Sequence, residues 1–280
     1  MSTALVVDST ALLTPELVQA TRALVVPITI SLDGVDHLDG VDLSPDDFYA
    51  RLAEPEPPTV STAQPSPGRF LEAYQEAADA GATSVLAVLV GSAFSATFDA
   101  ARWGAGQSPI PVTCVDSGQA SFGVALCAVA AREALDAGAS VAEAAAAAEA
   151  LSAEIESVFI VQALELAHRS GRFIGMPLPD ADTAAIPVLR YAGGDLSVVA
   201  EVNDVDEAVD AMAEAILGSG RRVRVASGLA DLATKPVTDA LEERLTAEDS
   251  VIELLRYRVG AGVAANVGPG TAGVFLHPVD

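Results

Sequence analysis

A few short stretches concentrate the hydrogen-bonding chemistry of this 280-residue chain. In "VSTAQPS" (residues 60–66), Ser61, Thr62, Gln64 and Ser66 stand in a Pro-pinned segment. Ser66-Pro67 is a standard helix entry, which accounts for Ser66 but not for the hydroxyls before Pro65. In "VGSAFSATFDAA" (residues 90–101), Ser92, Ser95 and Thr97 follow an apolar run and precede a helix-like one. A helix N-terminus presents unpaired N–H groups and favours anions, so Ser95 has two compatible roles there: capping, or binding an anion beside the cap. "RSGRFIG" (residues 169–175) sets Arg169 and Arg172 about Gly171. Pairing with nearby carboxylates is the plain reading of these arginines, and anion recognition the functional one. Asp8-Ser9-Thr10 has the start of a phosphatase-like aspartate motif, but Thr10 occupies the place of its second acid. "ANVGPGTAGVF" (residues 265–275) is a glycine run that could cradle a phosphate, close a pocket or turn the chain. GxxxxGK[ST] does not occur, and the single GxGxxG match, Gly268-Pro269-Gly270-Thr271-Ala272-Gly273, is too weak a signal by itself to support nucleotide binding.

These groups must be held by a frame, and apolar patterning suggests one. "ALVVDS", "TSVLAVLV" and "PVTCVDS" are short apolar runs ending in polar residues, each followed by a helical pattern. Thr14-Pro15, Ser44-Pro45, Ser66-Pro67 and the Ser140…Glu143 capping box give helix starts. Alternating strands and helices predict a parallel α/β sheet, with ligand groups gathered at the strand carboxyl ends. "DST", "GSAFSAT" and "DSGQAS" all fall at such ends. After about residue 155 the rhythm changes to a hairpin turning at Gly193-Gly194, then helix and strand in alternation. The expected organisation is therefore an N-terminal parallel-sheet α/β domain over residues 1–155 and a C-terminal α+β domain over residues 156–280, with a cleft between them.

Composition narrows the function classes. The chain is 51% hydrophobic with a formal net charge of −24, and its mean hydropathy is +0.39. No apolar run reaches the roughly 20 residues of a spanning helix, so no integral membrane segment is expected. The N-terminus lacks a basic region followed by a long apolar stretch, and a cytoplasmic protein is expected. The acidic balance argues against nucleic acid and anionic headgroups as partners and reads as a solvated surface. Cys114 and Cys127 fit no zinc spacing and read as buried free thiols; His37, His168 and His277 are too scattered for a metal site.

Taken in order, these stretches resemble the DegV family of fatty-acid-binding proteins over nearly the whole chain. "VVDSTALLTPEL" is similar to the family's opening "TDS" strand and helix, "STAQPSPGRF" to its "TSQPS" loop and "GSAFSATFDAA" to its "SSxLSGTYxSA" turn. "VDSGQASFGVAL", "RSGRFIG" and "NVGPGTAGV" are similar to three further blocks. The resemblance implies a carrier, not an enzyme, that holds one long-chain fatty acid between the two domains and uses no metal or cofactor. It places the carboxylate on Thr62 and Ser95, with Ala96 beside them where the family has Gly. It also implies that some members present the carboxyl group to a separate fatty acid kinase for acyl-phosphate formation, with Arg172, Asn266 and Gly268 near the head group or the hand-over. Asn266 stands where the family carries His, and Asn can neither carry a charge nor transfer a proton near neutral pH. Lipid binding is thus the primary expectation and kinase coupling the secondary one. His168 substitutes for the missing imidazole only if it shares a helical face with Arg172. Gly91 and Ala63 also depart from the family pattern.

The resemblance agrees with the chemistry. Burying about ten methylenes contributes roughly 8 kcal/mol, so an apolar channel supplies most of the affinity. The head group then needs donors to offset its desolvation, and two hydroxyls with helix N-terminal amides provide them. The competing reading is a small-molecule enzyme, an acyl hydrolase or transferase, although no nucleophile–base pair is visible in the sequence.

Overall fold

The computed structural model describes residues 2–173, 180 and 185–279. Two compact units emerge, Met1–Ser44 with Thr59–Ala153, and Pro45–Pro58 with Glu154–Asp280.

The first half of the chain runs β1 (Thr3–Asp8), α1 (Pro15–Thr21), β2 (Leu24–Val26), β3 (Thr29–Leu32), β4 (Val35–Leu38), α2 (Pro45–Leu52), β5 (Val60–Ala63) and α3 (Pro67–Asp79). It continues with β6 (Ser84–Leu89), α4 (Thr97–Ala105), β7 (Val112–Asp116), α5 (Phe122–Asp136) and α6 (Val141–Ser152). In the first unit a parallel sheet has the order β2-β1-β6-β7. Its central strands carry continuous apolar runs because helices cover both faces. Val6, Val85, Ala87 and Leu89 pack on one face under Phe70 and Tyr74 of α3 and Ala100 and Ala101 of α4. α5 packs on β1 and β6 from the other side. The expected helix starts are present: Thr14 Oγ1 accepts from Leu17 N at 3.3 Å, Ser66 Oγ from Arg69 N at 3.3 Å, and Ser140 with Glu143 forms a capping box.

Pro27 interrupts the apolar run over 24–32 and divides it between sheets: β2 joins the parallel sheet, while β3 is the centre of a separate antiparallel sheet, β4-β3-β5. Asp33 (φ 51°) and Gly34 (φ 81°) make the two-residue turn between β3 and β4. The segment around Thr62 is therefore not the loop its prolines suggest. β-branched Val60 and Thr62 extend it against β3, with Thr62 opposite Ile30.

The second unit holds β8 (Glu156–Ile160), α7 (Leu164–Ser170), β9 (Ile186–Ala192), β10 (Asp195–Val202), α8 (Val205–Leu217), β11 (Val223–Leu229), α9 (Lys235–Thr246), β12 (Val251–Arg258), α10 (Ala261–Val267) and β13 (Ala272–Pro278). The mixed six-stranded sheet has the order β10-β9-β8-β13-β11-β12, antiparallel except for β11 and β12. The β9–β10 hairpin turns at Gly193-Gly194 as expected. One sheet face is sealed by α8 and α9 through Val209, Met212, Ile216, Val237 and Leu241. α2 belongs to this unit although its sequence lies in the first half. Arg258 pairs with Asp46 and sets its guanidinium 5.5 Å from the Tyr49 ring centroid.

Candidate functional site

The carboxyl ends of β1, β6 and β7 meet around the segment 90–97. Asp8, fully buried at the end of β1, accepts from Val90 N at 2.8 Å and from Thr10 N at 3.0 Å. Burial pushes its carboxyl pKa up, and these donors act against that shift. Asp116 at the end of β7 accepts from Ser92 N and Gly118 N, each at 3.0 Å. Gly91 N donates to Gln119 O at 2.7 Å, and Phe94 N and Ser95 N both fold back onto Gly91 O. A Cβ on Gly91 would stand 2.8 Å from Gly118 C, so the serine of the family pattern has no room at this position. The segment is thus held from both sides by carboxylates on the flanking strands.

This segment delivers Ser95 to the start of α4. Ser95 Oγ lies 2.8 Å from Thr97 Oγ1 and accepts from Thr97 N at 3.3 Å. Ala96, the exposed N-cap, supplies no side-chain cap. The α4 N-terminus therefore combines first-turn amides, a half-buried hydroxyl and a methyl group in place of a capping side chain. Such an arrangement can receive a small anion.

Thr62 is the second expected ligand, and strand parity separates it from its neighbour Ser61. Thr62 is opposite Ile30, which is fully buried, so its side chain lies on the inward face of the small sheet. Ser61 and Ala63 are on the exposed face. Ser66 is accounted for by its cap on α3.

Arg172, Asn266 and Gly268 belong to the second unit. The α7 helix ends at Ser170, with Gly171 in the left-handed region (φ 72°), so Arg172 lies beyond the helix and does not share a helical face with His168. Arg172 Nη1 donates to Ser170 O at 2.6 Å. Arg169 lies 3.8 Å from Glu165, the plain reading of that arginine. Residues 174–175 of the "RSGRFIG" block lie outside the described residues, as does Ala184 at the start of the predicted hairpin.

Asn266 sits in the last turn of α10, and its Nδ2 donates to Gly262 O at 3.0 Å. The glycine run that follows is a packing device. Gly268 ends α10 at φ 76°, ψ 179°. A Cβ there would overlap the Ala163 methyl and stand 3.1 Å from Leu166 Cδ2. Gly270 lies against the Gln162 side chain, and its N–H donates to Asp231 Oδ1 at 3.0 Å. Gly273 lies within β13, where Phe159 of β8 closes over it. The run lets residues 268–273 lie flat on β8 and the start of α7, and then become a central strand.

Other expected groups are placed as follows. Cys127 is buried in α5, whereas Cys114 in β7 is only half-buried, because its strand is the edge of the parallel sheet. Among the described residues, no cluster of three His, Cys, Asp or Glu side chains is arranged to hold a metal ion, and no helix is long and apolar enough to cross a membrane.

This is a two-unit α/β protein whose donors gather at strand carboxyl ends and a helix N-terminus, the class of site that takes an anion. The chain belongs to the DegV family: the family described as "Uncharacterised protein, DegV family" matches residues 2–279. A DegV domain-containing protein of Mycobacterium tuberculosis is 34% identical over 283 residues, covering 99% of this chain and 97% of its own. One from Streptomyces coelicolor is 30% identical over 275 residues, covering 98% and 97%. The structure of a DegV family protein from Thermus thermophilus, described by its fatty acid binding, superposes with a TM-score of 0.86 at 29% identity, covering 100% of both chains.

Proposed function

We propose that this protein is a carrier that binds one long-chain fatty acid, with the carboxylate on Thr62 Oγ1, Ser95 Oγ and the first-turn amides of α4 beginning at Ala96. The observation that carries this reading is the α4 N-terminus, where Ser95 sits beside an N-cap that makes no side-chain cap bond. A carboxylate there replaces its lost hydration with hydroxyl and amide donors. Fatty acid binding by the Thermus thermophilus relative, which is similar over the whole chain, supports the choice of ligand.

The carrier reading is favoured over the acyl hydrolase or transferase reading because the Ser95 hydroxyl is partnered by the Thr97 hydroxyl rather than by an imidazole or carboxylate. Presentation of the bound acid to a fatty acid kinase is the finer part of the proposal. Asn266, hydrogen-bonded back onto its own helix, gives that step no proton carrier. Arg172 remains the proposed cation for it.

The test is mass spectrometry of the organic extract of denatured, purified protein, followed by titration with palmitate and oleate. A long-chain fatty acid at about one per chain is expected, and Thr62→Ala with Ser95→Ala should weaken uptake about tenfold or more. A protein that is empty and takes up neither acid overturns the proposal. Unchanged affinity in the double variant overturns the site.

A further inference from the structure

Asp8, Ser9 and Thr10 form a motif that the carrier reading leaves without a role. Its bonds lead to both proposed ligands. Asp8 Oδ2 accepts from Val90 N at 2.8 Å, at the root of the segment that folds through Gly91 to Ser95. Thr10 holds the same carboxylate through its backbone N–H at 3.0 Å and through its hydroxyl. Ser9 turns toward the small antiparallel sheet instead. Its Oγ accepts from Ile28 N at 3.1 Å and donates to Asp39 Oδ2 at 2.8 Å, while Asp39 N donates to Ile28 O at 3.1 Å. Ile28 precedes β3 and Asp39 follows β4, so these three bonds close the open end of that hairpin on Ser9. Two residues further along β3, Ile30 is opposite Thr62. That is about 7 Å of strand from the anchor.

We infer that Asp8-Ser9-Thr10 is a positioning device for the ligand: Asp8 sets the Ser95 segment and Ser9 sets the sheet that carries Thr62, so one rigid strand end fixes the spacing of the two hydroxyls. A carboxylate held by two hydroxyls on separate elements needs that spacing kept to a fraction of an ångström, because hydrogen bonds weaken steeply as distance and angle drift. Asp8 and Asp39 are both buried, so the reference points are shielded from competing water. A phosphoryl-transfer aspartate needs one oxygen open for attack, whereas both oxygens of buried Asp8 are engaged, Oδ1 by Thr10 and Oδ2 by Val90 N.

This inference rests on the fatty acid reading, and a double-mutant cycle separates the two. The variants are Ser9→Ala, Ser9→Thr and Asp8→Asn, each made alone and combined with Thr62→Ala or Ser95→Ala. Palmitate affinity is measured by competition with a fluorescent fatty acid, with thermal midpoints recorded in parallel. Ser9→Ala is expected to weaken palmitate about five- to tenfold, and Ser9→Thr, which keeps the hydroxyl, to restore affinity to within about twofold. In the Thr62→Ala background the Ser9→Ala effect should shrink to about twofold or less, but persist in full in the Ser95→Ala background. Asp8→Asn should show the opposite pattern. If Asp8→Asn does not fold, the Ser9 series decides alone. A merely structural role for Ser9 lowers the midpoint and leaves its effects on affinity additive with both ligand substitutions. Additive effects, or unchanged affinity, overturn the inference while the lipid reading stands. If wild-type protein binds no palmitate, the lipid reading fails and this inference falls with it.

Discussion

Gly268→Ala tests whether the glycine run near the C-terminus is a packing device. The residue has φ 76° and ψ 179°, a region open essentially to glycine alone, and holding alanine there costs about 1–3 kcal/mol. The added methyl also overlaps that of Ala163 and approaches Leu166 Cδ2 at 3.1 Å. Backbone shifts forced by such overpacking add about 1–3 kcal/mol. The sum is about 2–6 kcal/mol, or a fall of about 4–12 °C in the thermal midpoint at this chain length. Gly194→Ala is the control. Its φ is 91°, but nothing lies within 4 Å of the added carbon, so it carries strain alone, about 1–2 kcal/mol. Urea titration of ligand-free protein compares the two. Ala163→Gly removes the overlapping methyl at an N-cap position that tolerates glycine. In that background Gly268→Ala should fall toward the cost of the control. If Gly268→Ala is no worse than Gly194→Ala, or if Ala163→Gly gives no relief, close packing on α7 is not the reason for this glycine.

Gly91→Ser restores the residue of the family pattern but sets a Cβ 2.8 Å from Gly118 C. It should lower stability by about 1–3 kcal/mol in urea titration and loosen the Ser95 segment, read as weaker palmitate uptake. Ser140→Ala removes the capping box of α6 and should cost about 1 kcal/mol, with little effect on ligand affinity. Burial pushes the Cys127 thiol up to about 12, so reaction with a thiol reagent at neutral pH should be slow in native protein and fast in denaturant, whereas Cys114 should react sooner. Burial lowers the His277 pKa below its ordinary value, so the unfolded chain binds that proton more readily. Its contribution is full above about pH 6.5 and is lost as the pH falls through the lower folded value. From about pH 7.5 to about pH 5.5, His277→Gln should therefore lose less of its urea midpoint than wild type.

Local rules made part of this fold legible. Thr14, Ser66 and Ser140 announced their helices because a cap and its partner lie within three residues of each other. The buried strands β1 and β6 announced themselves because both faces are covered and their apolar runs are unbroken. β5 and β13 did not. β5 is four residues between prolines, and β13 carries Gly273, an unfavourable strand residue until Phe159 is seen packed over it. The allegiance of α2 was equally hidden, since its partners lie far along the chain: α10 packs on it, and Arg258 is 212 residues from Asp46. At the candidate site the sequence and its family resemblance selected Thr62 and Ser95. The reason for Thr62 over Ser61 is strand parity, which exists only once β5 is paired with β3. The motif Asp8-Ser9-Thr10 shows in sequence only its local part, the Thr10 bonds to Asp8; its other partners Val90, Ile28 and Asp39 are distant in sequence.

The charge economy of the chain bears on why neutral donors would hold the head group. With a formal net charge of −24, cations are scarce, and many are committed elsewhere. Arg132, Arg190, Arg224, Arg244 and Arg256 each meet a carboxylate that has its own structural place. An arginine or lysine beside the α4 N-terminus would also bind the carboxylate tightly and neutralise its charge. Hydroxyls and main-chain amides stabilise the anion by hydrogen bonds of about 1.5–3 kcal/mol each while leaving its charge in place. Their weakness is geometric, because a hydroxyl rotates and a short loop drifts. A site of this kind therefore depends on what stands behind it, and here that is buried Asp8 on one side of the Ser95 segment and Asp116 on the other.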